Sequence, residues 1–319
     1  MYLPGPSRDD SQRTVALADR AGTVTRVGSP GRYEHVRISP DGTQLAVGSD
    51  DGKEANVWIY ALGGTSAMRR LTFGGRNRLP VWSPDGQRVV FQSDREGSVA
   101  IFLQRVDGTG GVERLTTPDK DDVHIPESWS PDARHLTFSA VKGGVFSLWV
   151  LSLADGKITP FGDVRSVEPI GSVFSPDGRW IAYHARSPGA EQLSPNAGVF
   201  VEPFPASGTG ARNQAPRVAF DFQPLWSRTG KELFYVPTTA SGRLAAVRIA
   251  TETGLTFGIP ESLPFTLTAG RTSGATRAFD VLSDGRFVGL VAGSGEGPSR
   301  EIRLVFNWTE ELKRLVPTR

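Results

Sequence analysis

Apolar residues in this 319-residue chain occur in short runs that are separated by turn-forming residues. The clearest example is the stretch 79–116, where four runs (79–82, 88–93, 99–105 and 112–116) are rich in β-branched and aromatic residues or alternate with polar ones. Asp, Gly and Pro fill the gaps between them, as expected for hairpin turns. This stretch therefore predicts four short antiparallel strands joined by tight connections.

The same unit recurs along the chain, and each copy carries a short phrase after its first apolar run. The phrase is a large apolar residue followed by Ser-Pro-Asp-Gly. Its copies lie at 38–42, 82–86, 129–133, 174–178, 226–230 and 282–285, of which the last two are weaker. Their final positions are 44 to 55 residues apart. A period of this length, with four strands to each repeat, predicts an all-β, six-bladed β-propeller.

The residues of the phrase are predicted to be structural. In the second copy, Pro84 pre-sets φ for a turn, Asp85 can accept hydrogen bonds from nearby backbone, and Gly86 can adopt positive φ. The apolar residue at the head of the phrase, here Trp82, is expected to pack between blades. A role for the repeated Asp as a metal ligand is the weaker alternative.

The two ends of the chain are predicted to share the last blade. Residues 14–18 and 23–27 resemble third and fourth strands, yet they precede the first phrase. The sixth phrase is followed by strand-like runs at 287–290 and 302–306. The ends together offer one strand more than a four-stranded blade needs, so the outermost strand is left undecided. Residues 262–276, between the last two phrases, are predicted to be a loop.

One domain is predicted, because the repeats span nearly the whole chain. We expect a flexible segment at 1–12, the propeller at 13–306 and a short helical tail at 307–319. In the tail, Asn307 and Glu310 have the spacing of a capping box, and Trp308, Leu312 and Leu315 fall on one face. A helix docked on the propeller is the favoured interpretation, and a partner-binding helix is the alternative.

The composition excludes several classes of function. The 36 basic and 34 acidic residues are mixed along the chain, which gives little support to nucleic-acid binding. The absence of cysteine excludes disulfides and thiolate catalysis. No apolar run is long enough to predict a membrane span. Taken literally, the first residues predict a chain that stays in the cytoplasm. The far side of a membrane is expected instead if the sequence is the tail of a longer receptor.

The phrase, the strand after it and Ser93-Asp94-Arg95-Glu96-Gly97 together resemble the TolB-type, WD-like propeller repeat over roughly residues 30–290. Residues 15–22, 201–205 and 304–317 resemble propeller regions attached to bacterial membrane-anchored serine/threonine protein kinases. The sequence has no Gly-rich phosphate loop, no His-Arg-Asp and no Asp-Phe-Gly, so kinase activity is not carried over. The resemblance implies a sensing or protein-interaction module.

Candidate binding residues come from the period, because equivalent positions of different blades meet around the axis of a propeller. The polar residues shortly before the phrases are Glu34, His35, Arg78, His124, Glu127, Glu168, Asp221, Gln223, Arg277 and Asp280. Their convergence predicts a channel mouth of mixed charge that suits a protein or peptide partner or a small polar ligand. A channel that holds only water is the alternative. No cofactor is predicted, although a divalent cation remains an open alternative.

The sequence favours a non-catalytic binding module, either a sensor or a protein-interaction propeller. It contains no Gly-x-Ser-x-Gly elbow, and its four histidines lack the spacing of a metal site. The rival classes are a metal-dependent lyase or hydrolase that uses the channel mouth, and an envelope scaffold protein.

Overall fold

The regular structure is β-strand throughout the part of the chain that the computed structural model describes, which is residues 12–63, 67–206, 212–239, 241–251, 254–267 and 274–293. These ranges contain no helix with the length and apolarity to cross a membrane. The strands, in chain order, are β1 Arg13–Ala18, β2 Val24–Gly31, β3 Tyr33–Ile38, β4 Gln44–Asp50, β5 Ala55–Ala61, β6 Arg69–Arg70, β7 Asn77–Trp82, β8 Arg88–Glu96, β9 Ser98–Arg105, β10 Glu113–Arg114, β11 Val123–Trp129, β12 His135–Lys142, β13 Val145–Ser152, β14 Ile158–Ser166, β15 Val173–Phe174, β16 Trp180–Arg186, β17 Ala197–Pro203, β18 Asn213–Gln214, β19 Asp221–Trp226, β20 Glu232–Pro237, β21 Arg243–Ala250, β22 Thr256–Phe257, β23 Glu261–Thr266, β24 Phe279–Val281 and β25 Phe287–Ala292.

These strands form six antiparallel sheets, which are the blades of a β-propeller. Blades one to five are consecutive in sequence: β3–β6, β7–β10, β11–β14, β15–β18 and β19–β22. The first strand of each lies innermost and runs into the phrase, and the phrase turns the chain into the second strand. We call the end of the central channel where these turns lie the phrase end.

The sixth blade closes the ring with strands from both ends of the chain, in the order β24, β25, β1, β2. Strand β1 pairs with β25 from Arg13–Ala292 to Ala18–Phe287, and β2 lies outermost. The predicted closure is therefore confirmed, and the order of the strands is now assigned. The predicted strand at 302–306 and the predicted helix at 307–319 lie outside the described residues.

One prediction about a loop was wrong at its start. Residues 261–266 form strand β23, which pairs with β21 in the fifth blade. Leu263 and Phe265 are buried in a cluster with Phe234 and Phe287, whereas Pro264 between them faces out. Proline is compatible with such an edge strand, because its missing N–H is not needed by a further neighbour.

The phrase forms the turn that the sequence predicts. In the first copy, the Asp41 carboxylate accepts hydrogen bonds from the Ser39 hydroxyl and the Thr43 N–H, and Gly42 has φ of 75°. The Ser39 Oγ in turn accepts the N–H of Gln44 at 2.9 Å. The third copy has Ala133 where the others have glycine, and its φ of 60° is one that an alanine adopts only at a cost.

The aromatic residues that head the phrases pack between blades, as predicted. Trp82 is 7% exposed and lies in one cluster with Val57 and Ile59 of the first blade and Phe91 of its own. Its Nε1 donates to the backbone oxygen of Arg37 at 3.0 Å. Each blade thus buries its apolar face against a neighbour, because it has no other core to use.

Deleting residues 1–28 is expected to abolish cooperative folding or to lower Tm strongly, because the deletion removes β1 and leaves the edge of β25 unpaired. Thermal unfolding followed by circular dichroism measures this. Deleting only residues 1–11, which precede β1, serves as the control. An unchanged Tm after the longer deletion would contradict the observed closure.

Candidate functional site

A cavity of about 410 Å³ opens at the phrase end of the channel, and all six blades contribute to its wall. We call it the channel cavity. Its lining repeats with the period of the chain. The residue two positions before each turn supplies one ring, formed by Arg37, Val81, Ser128, Val173, Leu225 and Asp280. The next residue supplies a more aromatic ring, formed by Ile38, Trp82, Trp129, Phe174, Trp226 and Val281.

The phrase itself completes the mouth of the channel cavity. The residues after the phrase serines form its rim, which consists of Pro40, Pro84, Pro131, Pro176 and Arg228. The aromatic and proline residues of the phrase were predicted only to be structural, and they prove to be lining residues as well. The repeat period could have identified these residues, because it places equivalent residues of every blade around one axis.

Arg37, Glu127 and Arg277 form the floor of the channel cavity. All three also line a second cavity of about 30 Å³ on the other side, so they lie in the section of the channel between the two. Only 9% of Arg37 and 7% of Arg277 are exposed. Burial, with a smaller effect from the charge of Arg277, lowers the pKa of Arg37 to about 9, so the group still carries its charge at neutral pH.

The two floor arginines bind backbone oxygens. Arg37 Nη1 donates to the carbonyl of Val36, and Arg277 Nη1 donates to that of Pro224, each at 2.8 Å. The Pro224 carbonyl is available because a bulge interrupts the pairing of β19 with β20 between Phe222 and Leu225. The Nε atoms of both arginines are buried without a hydrogen-bond partner.

The two acidic residues near this floor accept hydrogen bonds from neighbouring blades. Glu127 accepts hydrogen bonds from the N–H groups of Gly171 at 3.1 Å and Ser172 at 2.7 Å, and from the Ser139 hydroxyl. Those two N–H groups lie just before the two-residue strand β15, where no ladder satisfies them. Burial raises the pKa of Glu127, although these hydrogen bonds oppose the rise. Glu127 therefore connects the third blade to the fourth.

Asp280 likewise connects two blades, here the sixth and the first, whose interface we call the closing seam. One of its oxygens accepts the N–H of Ile38 in the first blade at 3.2 Å, and the other accepts the N–H of Val281 at 2.9 Å. Of the ten residues predicted from the sequence, the structure thus brings Glu127, Arg277 and Asp280 together at the channel cavity. It adds Arg37, which the sequence analysis did not single out.

Three other predicted residues lie around the carboxylate of Asp50. Arg78 donates to Asp50, as does Arg76 at 2.8 Å. Glu34 interacts electrostatically with the same group, and burial raises the pKa of Glu34. His35 Nε2 lies 2.6 Å from the Thr276 hydroxyl across the closing seam, and burial lowers the pKa of His35 to about 3.

The last four predicted residues have separate local partners. Glu168 pairs with Arg186 at 3.0 Å and lies 3.7 Å from the buried His184 ring. Asp221 accepts the N–H groups of Val218 at 2.9 Å and Ala219 at 3.1 Å, and burial raises its pKa to about 6.

His124 packs on Phe138 with ring centroids 4.9 Å apart, and burial lowers the pKa of His124. Gln223 donates to the carbonyl of Ala275 at 2.8 Å. Among the described residues, no group of three or more His, Asp and Glu side chains is placed to hold a metal ion.

Comparisons with known proteins agree with this architecture. No family model matches the chain. The Tol-Pal system protein TolB of Anaeromyxobacter dehalogenans is 28% identical over 104 residues, which cover 33% of this chain but only 22% of that protein. A TolB-type structure from Agrobacterium tumefaciens superposes with a TM-score of 0.67 at 20% identity, covering 88% of this chain and 97% of its own. An oligogalacturonate lyase from Vibrio parahaemolyticus gives 0.55 at 12% identity, covering 86% and 76%.

The chain is a TolB-like six-bladed β-propeller. The resemblance of its repeats to the TolB type is confirmed, whereas the resemblance to kinase-attached propellers stays a prediction. The fold also occurs in an enzyme, the lyase, so the fold alone does not distinguish a binding protein from a catalyst.

Glu127→Ala is expected to lower the free energy of unfolding by about 2–3 kcal/mol, because the buried N–H of Ser172 and the partly buried N–H of Gly171 lose their acceptor. Urea denaturation measures the loss. Glu191→Ala, at an exposed carboxylate of the fourth blade, is the matched control and should stay within about 0.5 kcal/mol of the wild type. Equal stability of the two variants would show that Glu127 does not join the blades.

Acid is expected to destabilise the protein partly through His35. The folded state holds the pKa of this ring at about 3, whereas the unfolded chain takes up a proton near pH 6.5. The contribution to stability is therefore present above about pH 6.5 and is lost as the pH falls toward 3. His35→Gln should flatten this part of the profile of unfolding free energy against pH. Parallel profiles for wild type and variant would contradict the shift.

Proposed function

We propose that this protein is a non-catalytic binding module that takes up a segment of a partner protein in the channel cavity. The observation that carries the proposal is the lining of that cavity by equivalent positions of all six blades. Its volume of about 410 Å³ falls within the range of ligand pockets, which is roughly 300–1,000 Å³. The site lies on the axis of the fold and depends on the whole ring.

The chemistry of the wall suits a peptide. Tryptophan, phenylalanine and proline surfaces surround the mouth, and they offer apolar area to side chains that enter it. The charged floor lies beneath them. A ligand that combines apolar side chains with a polar group therefore fits better than a purely apolar molecule.

The wall is held rigid by the same contacts that build the propeller. Its residues belong to innermost strands and to turns fixed by hydrogen bonds such as those of Ser39 and Asp41. A rigid site reduces the entropy that is lost when a ligand binds.

The class of partner is proposed from the relatives. The matched protein is named as a component of the Tol-Pal system, which supports a protein as the partner of a TolB-like propeller. The resemblance of residues 15–22 and 304–317 to kinase-attached propellers supports a sensing role. Both lines favour recognition of a protein over catalysis.

Selection of peptides from a random library on the full chain tests the proposal. We expect the selected peptides to lose at least tenfold in affinity for Val81→Trp, which places an indole at a half-buried position of the cavity wall. Ile158→Trp, on the outer strand β14, is the matched control and should bind as the wild type does. Unaltered binding to Val81→Trp, at unchanged Tm, would place the ligand elsewhere, and a library without binders would contradict the proposal.

A further inference from the structure

The floor of the channel cavity carries two arginines whose charges lack a direct partner. Arg37 and Arg277 are both more than nine-tenths buried and lie on the innermost strand of the first blade and just before that of the sixth. Each makes one hydrogen bond to a backbone oxygen and leaves a buried Nε without an acceptor. Within the described ranges, neither guanidinium has a carboxylate oxygen within 4.0 Å.

The nearby carboxylates do not fill this gap. Both oxygens of Asp280 accept backbone N–H groups, and both oxygens of Glu127 accept hydrogen bonds from the third and fourth blades. They attract Arg277 through space, but they do not hydrogen-bond to it. The exposed Arg228 adds a third cation at the rim, where its Nε donates to the carbonyl of Val281 at 3.0 Å.

This arrangement is suited to an anion. A buried charge without a partner is costly, and the cost falls when a ligand brings the opposite charge. A guanidinium presents its N–H groups in a planar fork that matches the two oxygens of a carboxylate. The apolar rings above the floor suit the side chains that flank an acidic residue in a peptide.

We propose that Arg37 and Arg277 form a carboxylate-recognition site at the floor of the channel cavity. The partner segment inserts an acidic group to this depth, and its neighbouring apolar residues contact the aromatic and proline rings. This inference rests on the proposed function for the nature of the ligand. The anion site itself can be tested without any peptide.

Titration of the 319-residue chain with acetate, at constant ionic strength against chloride, tests the anion site. The Nε–H resonances of Arg37 and Arg277 should shift in a saturable manner, and acetate should raise Tm. The rise should vanish in Arg37→Met and in Arg277→Met. Arg105→Met, at an exposed arginine paired with Asp107, is the control and should keep it. Resonances that do not respond to acetate would overturn the proposal, and a stronger saturable response to phosphate would change the ligand class.

Peptides selected on the wild-type protein test the second part of the proposal, which is that the partner segment inserts an acidic group. Replacing each Asp or Glu by its amide should weaken binding 10- to 100-fold if a side chain is recognised, and amidation of the carboxyl terminus should do so if the terminus is recognised. The decisive replacement should have little effect on binding to Arg37→Met, because both changes remove the same interaction.

The two proposals fail in different ways. Peptides that Val81→Trp blocks, but that bind equally well without any carboxylate, would overturn the anion site and leave the proposed function standing. Acetate binding at Arg37 and Arg277 without any peptide in the cavity would overturn the proposed function instead.

Discussion

The pairing of β1 with β25 is the constraint on which the rest of this structure depends. It joins the amino-terminal strand to the last phrase-bearing repeat over six residue pairs. Without it the ring would have two open edges, and the first and sixth blades would not meet. With it, His35 contacts Thr276 and Ile38 contacts Asp280 across the seam. Arg37 and Arg277 come from the two sides of that seam, so the charged floor exists only in the closed ring.

The phrase has two roles at once. Its serine, aspartate and glycine make a turn that is stable in any blade, because their hydrogen bonds are local. Its aromatic and proline residues pack against the neighbouring blade and also line the channel cavity. Repetition of a structural turn therefore builds the wall of the channel cavity. This explains why the motif appears purely structural in one copy and forms a cavity wall only in the assembled ring.

The channel cavity departs from sixfold regularity at the positions where equivalent residues of the blades differ in polarity. The ring that contains Val81, Val173 and Leu225 is apolar at these three of its six positions, and both of its charged members, Arg37 and Asp280, lie at the interface of the first and sixth blades. Short inner strands and bulges release backbone groups that bind charged side chains, as Pro224 does for Arg277 and Gly171 and Ser172 do for Glu127. The charges are thereby fixed in place.

The sequence by itself determined the number of blades, the turn at every phrase and the closure by both ends, because these follow from a repeated period and from local turn chemistry. It also found three of the five charged residues that line the channel cavity, namely Glu127, Arg277 and Asp280. Only the tertiary structure identified Arg37 and Arg228. In a strand, a change of one residue in register moves a side chain to the other face, so the sequence could not select Arg37 from its neighbours. Only the tertiary structure showed that Glu34, His35 and Arg78 lie around Asp50. It also showed that residues 261–266 form strand β23, although they include Pro264. These outcomes depend on bulges and on contacts between blades, which are set by residues far apart in the chain.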